Sequence, residues 1–272
     1  MRLKAGCEIK LSAKAPTSLI AMLRPRNGPE QWVASEKYEL DPFVHAADYL
    51  DGFGNLCQRM IAPVGPFEIR TEVEVETADT ILLNRGGPLT PPEQLPDAAL
   101  VFLLPSRYCP SDRLRPLAAE VVAGARLGYD QVDAIRAWIR EHIEYRYGVS
   151  NESTSALETI QDAAGVCRDF AHIGVSLCRA LHIPARMVVG YLWGLEPMDL
   201  HAWFEAFIAG RWYTFDATQA EPRGGRITLA YGRDAADVAL ITELGEIKSE
   251  GNRVWVENIS AAAPLAATRD GT

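Results

Sequence analysis

The sequence has no run approaching the ~20 apolar residues that a membrane-crossing helix needs. Its opening MRLKAGCEIK also lacks the apolar core of a signal peptide. A cytoplasmic protein without membrane contact is therefore expected. Concentrated positive charge is missing too: 27 Lys and Arg stand against 36 Asp and Glu, a formal net charge of -9. Binding nucleic acid as the main partner requires a Lys/Arg surface for the phosphates, and that class is excluded. The arginines of RYCPSDRLRP (107–116) read as a solvated loop. Cysteine is scarce and scattered. Cys7, Cys57, Cys109, Cys167 and Cys178 are odd in number and irregular in spacing, which fits neither a disulfide framework nor a paired zinc site. The default reading for each is a small buried hydrophobe. No internal repeat is present.

The 272 residues have 48% hydrophobic and 23% charged composition, enough for a real core in one large or two modest domains. Residues 1–80 read as an all-β domain. In IRTEVEVET (69–77), Ile69, Thr71, Val73, Val75 and Thr77 alternate with Arg70, Glu72, Glu74 and Glu76, the period of a strand with one buried face. DGFGN (51–55) marks a turn between strands. Residues 81–117 hold a proline-rich connector, with 7 of the 17 prolines between Pro88 and Pro116. That density disfavours helix and central strand.

Residues 118–260 change character. Asp130 is expected to cap a helix in DQVDAIRAWIREHIEY, where Val132, Ile135, Trp138, Ile139, His142 and Ile143 form one stripe. Ser155 and Glu158 make a capping-box pattern for a short helix that Gly165 ends. A longer helix starts near Cys167 and stops before Pro184. Then the period becomes two, in ARMVVGYLW, LHAWFEAFI and, after a turn at Ala209-Gly210, RWYTFDAT. The small-residue tail, 261–272, is expected to fray.

Cys167 lies in the first turn of its helix, where free backbone N–H groups and the helix dipole stabilise an anion, the setting of a reactive thiolate. Cys178 lies three turns further in and reads as core. A thiolate nucleophile needs a base, and the base needs an orienting group. If the hairpin pairs Ile208 with Arg211, Trp203 falls opposite Asp216 and His201 diagonal to it. Such positions share one face within roughly 5–8 Å. His172 points away from the Cys167 face and reads as structural. His45 reads as a surface residue and His142 as partly buried.

The order Cys, helix, strand with His, turn, strand with Asp resembles the bacterial transglutaminase-like family. The matching segments are GVCRDFAHIGVSLCRALHIPAR, the strand ending GYL, HAWFEAF with WYTFDAT, and GRDAADV (232–238). The resemblance implies an α+β fold: a papain-like core of helices packed on an antiparallel sheet, preceded by the β-domain. It implies Cys167 as nucleophile, His201 as general acid/base and Asp216 as its orienting carboxylate. Trp203 on the shared face is a candidate shield against water, with Tyr145, Trp138, Asp169 and Arg168 as further possible lining residues. Many relatives have Gln at the position of Arg168, whose charge is a candidate aid to the thiolate. Asp169 also reads as a helix-start charge, and Arg233 and Asp234 are expected to pair or cap a loop. Animal members need calcium, but there is no DxDxDG-type loop here, so neither metal nor cofactor is expected. The expected substrate is a peptide or protein amide. Hydrolysis, amine transfer by a true transglutaminase, and a non-catalytic scaffold on the same fold remain three readings, with hydrolysis preferred because water always reaches an acyl-enzyme.

Overall fold

The computed structural model describes residues 1–260; the tail 261–272, expected to fray, lies outside the described residues. The chain opens with six strands: β1 (Arg2–Ala13), β2 (Thr17–Ala21), β3 (Gln31–Asp41), β4 (Ala47–Leu50), β5 (Leu56–Ala62) and β6 (Gly65–Thr77). The alternation read in 69–77 holds. Ile69, Thr71, Val73 and Val75 are buried, and they face Ile9, Cys7, Ala5 and Leu3 across an antiparallel ladder. DGFGN joins β4 to β5, with Asp51 Oδ1 accepting from the amides of Phe53 and Asn55 at 2.8 Å each.

The connector is less plain than its prolines suggest. It carries short helical turns, among them α1 (Asp97–Leu100), and Pro92 and Pro116 stand in the first turns of two of them. Proline costs little there, because the N–H it lacks has no helical partner anyway. Leu95 and Ala99 pack with Phe207 and Trp212, and the Phe102 ring meets Trp212 edge-on at 5.3 Å.

The second half runs α2 (Arg115–Val121), α3 (Tyr129–His142), β7 (Glu144–Tyr145), α4 (Ala156–Asp162), β8 (Ala164–Gly165), α5 (Cys167–Ala180), β9 (Ala185–Leu192), β10 (His201–Ile208), β11 (Arg211–Phe215) and β12 (Arg226–Gly232). Asp130 does not cap α3. Gly128 takes that place, with its amide bonded to Gln131 Oε1 at 3.0 Å, while Asp130 Oδ1 accepts from the Gly86 amide. The Ser155–Glu158 box opens α4 as expected. Ala163, with φ 50°, ends it, and Gly165 pairs with Tyr145 instead.

α5 is the central element. From Asp169 to Ala180 every residue is buried, and the helix lies on the antiparallel sheet β11-β10-β9-β12 with α3 and α4 at its sides. Gly174 permits this approach, since a Cβ there would meet the Phe204 ring at 2.5 Å. Burying a ring of that kind contributes on the order of 1.5–3 kcal/mol.

The chain then returns to its beginning. β13 (Ile241–Leu244) pairs with β2 and β14 (Ile247–Asn258) with β1, giving two four-stranded sheets, β14-β1-β6-β3 and β13-β2-β5-β4. The division at 118–260 read from sequence differs here, because 241–258 completes the N-terminal sandwich. The reason is the free edge of β1, whose unpaired amides and carbonyls need a strand.

Candidate active site

The start of α5 is held by a cluster of polar contacts. Asp169 Oδ2 accepts from the Val166 amide at 2.9 Å, capping the helix from its third position, and from Ser150 Oγ at 2.6 Å. Arg168 pairs with Asp169 Oδ1 and donates to the Asn151 carbonyl at 2.5 Å. Arg168 therefore spends its charge on a buried carboxylate and ties the 150–151 loop to the helix. Neither residue is a bare charge aimed at the thiol. At this capped turn Cys167 stands half-buried, whereas the other four cysteines are buried and all five are free. Burial pushes the Cys178 thiol far up, and Cys109 up to about 12.

The hairpin register is the one read from sequence. Ile208 pairs with Arg211 and Phe204 with Phe215, so Asp216 comes next, opposite Trp203. His201 Nε2 lies 2.8 Å from Asp216 Oδ2, with both side chains buried. Burial pushes the imidazole down, but the hydrogen bond to Asp216 and the neighbouring Cys167 outweigh it and hold His201 up at about 9. The other ring nitrogen, Nδ1, is buried without a hydrogen-bond partner of its own. With Nε2 engaged by the carboxylate, Nδ1 is the nitrogen left to Cys167. Asp216 is buried too, which alone would raise its carboxyl. Arg226 and His201 overcome that and hold it well below the usual carboxylate range. Its second oxygen, Oδ1, accepts from the Thr218 amide at 3.0 Å and hydroxyl at 2.7 Å, so Asp216 opens a turn and also faces the histidine.

The remaining candidates divide. Tyr145 stands on β7 beside β8, its ring 5.7 Å from Phe170 in the first turn of α5. Burial, then the neighbouring Cys167 and Tyr147, raise its phenol well above the ordinary range. Trp203 is 2% exposed, its ring centre 6.2 Å from that of His201. It lies under the histidine as a buried floor. Trp138 stacks on His142 at 4.6 Å, and no hydrogen bond or ring contact joins it to Cys167, His201 or Asp216 among the described residues. His142 is exposed, contrary to expectation, because its ring bonds back to the Trp138 carbonyl on the solvent side of α3. His45 is an exposed loop residue. His172 stacks on Tyr108 at 5.1 Å and accepts from the Ala235 amide at 3.2 Å. Arg233 pairs with Asp237 at 2.8 Å rather than with Asp234, whose oxygens accept from the amides of Tyr108 and Ala236.

One residue at the site had no sequence signal. Arg226 donates to Asp216 Oδ2 at 2.8 Å. It follows an irregular Pro-Arg-Gly-Gly stretch, and no spacing ties it to Asp216. No group of three or more His, Cys, Asp or Glu side chains suited to a metal occurs among the described residues.

Comparison with known proteins bears on the family and the fold. The profile of the Transglutaminase-like superfamily matches residues 115–217, a span that holds Cys167, His201 and Asp216. The crystal structure of a proposed cysteine protease from Cytophaga hutchinsonii is 34% identical, with a TM-score of 0.90 over 97% of this chain and 92% of that one. An uncharacterized protein of Mycobacterium leprae is 27% identical over 239 residues, 80% of this chain and 83% of its own length. Another, from Mycobacterium tuberculosis strain H37Rv, is 27% identical over 261 residues, 86% of this chain and 83% of its own. With its core sequence, full-length likeness and α+β architecture in accord, the chain belongs to the bacterial transglutaminase-like family.

Proposed function

We propose that the chain is a cysteine hydrolase of peptide or protein amide bonds, with Cys167 as nucleophile, His201 as general acid and base, and Asp216 as the carboxylate that orients it. The observation that carries this reading is the two-sided environment of His201: one ring nitrogen sits on a buried, ionised carboxylate and the other is left for the half-buried thiol. His201 stands as imidazolium beside the Cys167 thiolate, and the sulfur forms a bond to the amide carbonyl carbon as the carbonyl π-bond electrons move to oxygen. The resulting oxyanion meets backbone donors at the α5 N-terminus, the Cys167 N–H among them. Collapse breaks the C–N bond, and the imidazolium gives its proton to the leaving amine. Water then attacks the thioester, His201 accepts its proton, and the acid product and free thiol are regenerated.

Hydrolysis is favoured over amine transfer by the likeness, over 97% of this chain, to the Cytophaga protein, itself a proposed cysteine protease. The cytoplasmic placement belongs to this proposal. No helix among the described residues is long and apolar enough to cross a membrane. Incubation with peptides and small amides, with and without an added amine and followed by mass spectrometry, separates water from amine as acceptor. Cys167→Ala is expected to abolish turnover while melting like the parent protein. Iodoacetamide is expected to label Cys167 faster than Cys178. Full turnover in Cys167→Ala, or equal labelling, removes the mechanism.

A further inference from the structure

Asp216 Oδ2 accepts two hydrogen bonds at once, from His201 Nε2 and Arg226 Nη2, each at 2.8 Å. Arg226 is itself buried, with its guanidinium carbon 4.9 Å from the centre of the Trp203 ring. A buried cation on that oxygen fixes where the oxygen can lie, and the indole face helps hold the guanidinium in place. The charge matters as much as the geometry. The titratable and charged groups felt by His201 are Asp216 and Cys167, and those felt by Asp216 are Arg226 and His201, with Arg223 adjacent. Arg226 is thus the cation that offsets the carboxylate in front of the histidine.

What holds Arg226 is the other layer of the molecule. It is the first residue of β12, and its carbonyl accepts from Thr77 Oγ1 at 2.8 Å at the end of β6. The neighbouring Gly225 amide donates to the Ala78 carbonyl at 2.9 Å. Gly224 makes the approach feasible: a Cβ there would lie 2.4 Å from Ala78 O and 2.5 Å from Thr80 N. Those are backbone atoms, so one segment or the other must move to admit a side chain.

We propose that Arg226 is a positioning residue for the His201–Asp216 pair, and that the N-terminal sandwich sets its place through residues 77–80. The proposal rests on the catalytic reading above and gives the sandwich a part in the site. Removing the guanidinium removes a like charge from the imidazolium and uncovers the carboxylate, so His201 keeps its proton to higher pH. A merely structural role for Arg226 leaves that titration where it was.

The test is a histidine-ring NMR titration of the full chain in a Cys167→Ala background, with His201→Asn identifying the signal. Arg226→Gln is expected to raise the His201 midpoint by roughly one pH unit or more. Arg226→Lys is expected to restore most of the parent value. Gly224→Ala is expected to shift the midpoint in the same direction by less. An unmoved midpoint in folded Arg226→Gln overturns the positioning role, and an unmoved midpoint in Gly224→Ala removes the sandwich from it. Should Arg226→Gln fail to fold, the Gly224→Ala midpoint decides both. Turnover surviving Cys167→Ala strikes only the catalytic reading, because the titration needs no substrate.

Discussion

Two buried histidines, His172 inside α5 and His201 at the start of β10, have opposite chemistry. His172 is wholly buried against Tyr108, and burial first, then nearby Arg168, pushes it down to about 3. His201 is almost as deeply buried, yet its bond to Asp216 and the neighbouring Cys167 hold it up at about 9. Burial alone silences an imidazole as a permanently neutral ring. Burial together with a committed carboxylate makes it a proton carrier. The difference lies in what faces the ring, and it separates a packing histidine from a candidate catalyst within one core.

The comparison breaks most completely at Asp216. Asp216→Ala is expected to lower kcat/KM by about 10³-fold or more and to drop the His201 titration below its ordinary value, making it resemble His172. Steady-state rates and ring NMR check both parts. Next comes the pH profile of the parent protein. The leaving amine needs the imidazolium, so kcat/KM is expected to fall as pH rises through about 9. A rate that stays level from pH 7 to 10 would sink that assignment. The two histidines also pull stability in opposite directions. Native His201 binds its proton more tightly than the unfolded ring, so its contribution is complete below pH 6.5 and is lost as pH rises through about 9. Native His172 binds its proton more weakly, so stability is lost as pH falls from 6.5 toward about 3. Thermal melts across pH are expected to flatten on the alkaline side in His201→Gln and on the acid side in His172→Phe. The smallest effect belongs to Arg168→Gln, which loosens the tie to Asn151 and to the buried Asp169 carboxylate and is expected to cost about 1–3 kcal/mol in urea unfolding.

Much of this was legible because it obeys short-range periodicity. The two-residue alternation of 69–77 marks β6, and that of LHAWFEAFI and RWYTFDAT with the turn at Ala209-Gly210 puts Asp216 beside His201. What stayed hidden depends on long-range geometry. β14 is mostly exposed and broken by Gly251, so no strong pattern announces that it pairs with β1 at the far end of the chain. The α4 terminator was misplaced because Ala163 adopts a left-handed conformation that a nearby glycine would be expected to supply. Arg226 reaches Asp216 across 10 residues of irregular chain, where spacing carries no information. The charge of Arg168 is claimed by the buried carboxylate beside it, a contact no spacing in the sequence announces.

The sandwich is closed by strands from both sides of the sequence, with β1 lying between β6 and β14. During synthesis the sheet edge beside β1 therefore stays open until β14 has been made, after α5 and its hairpin. The core containing Cys167, His201 and Asp216 is threaded as an insertion between the two parts of its own support. A truncation before Ile247 would leave that core's sequence complete and expose the full edge of β1 as a template for another chain.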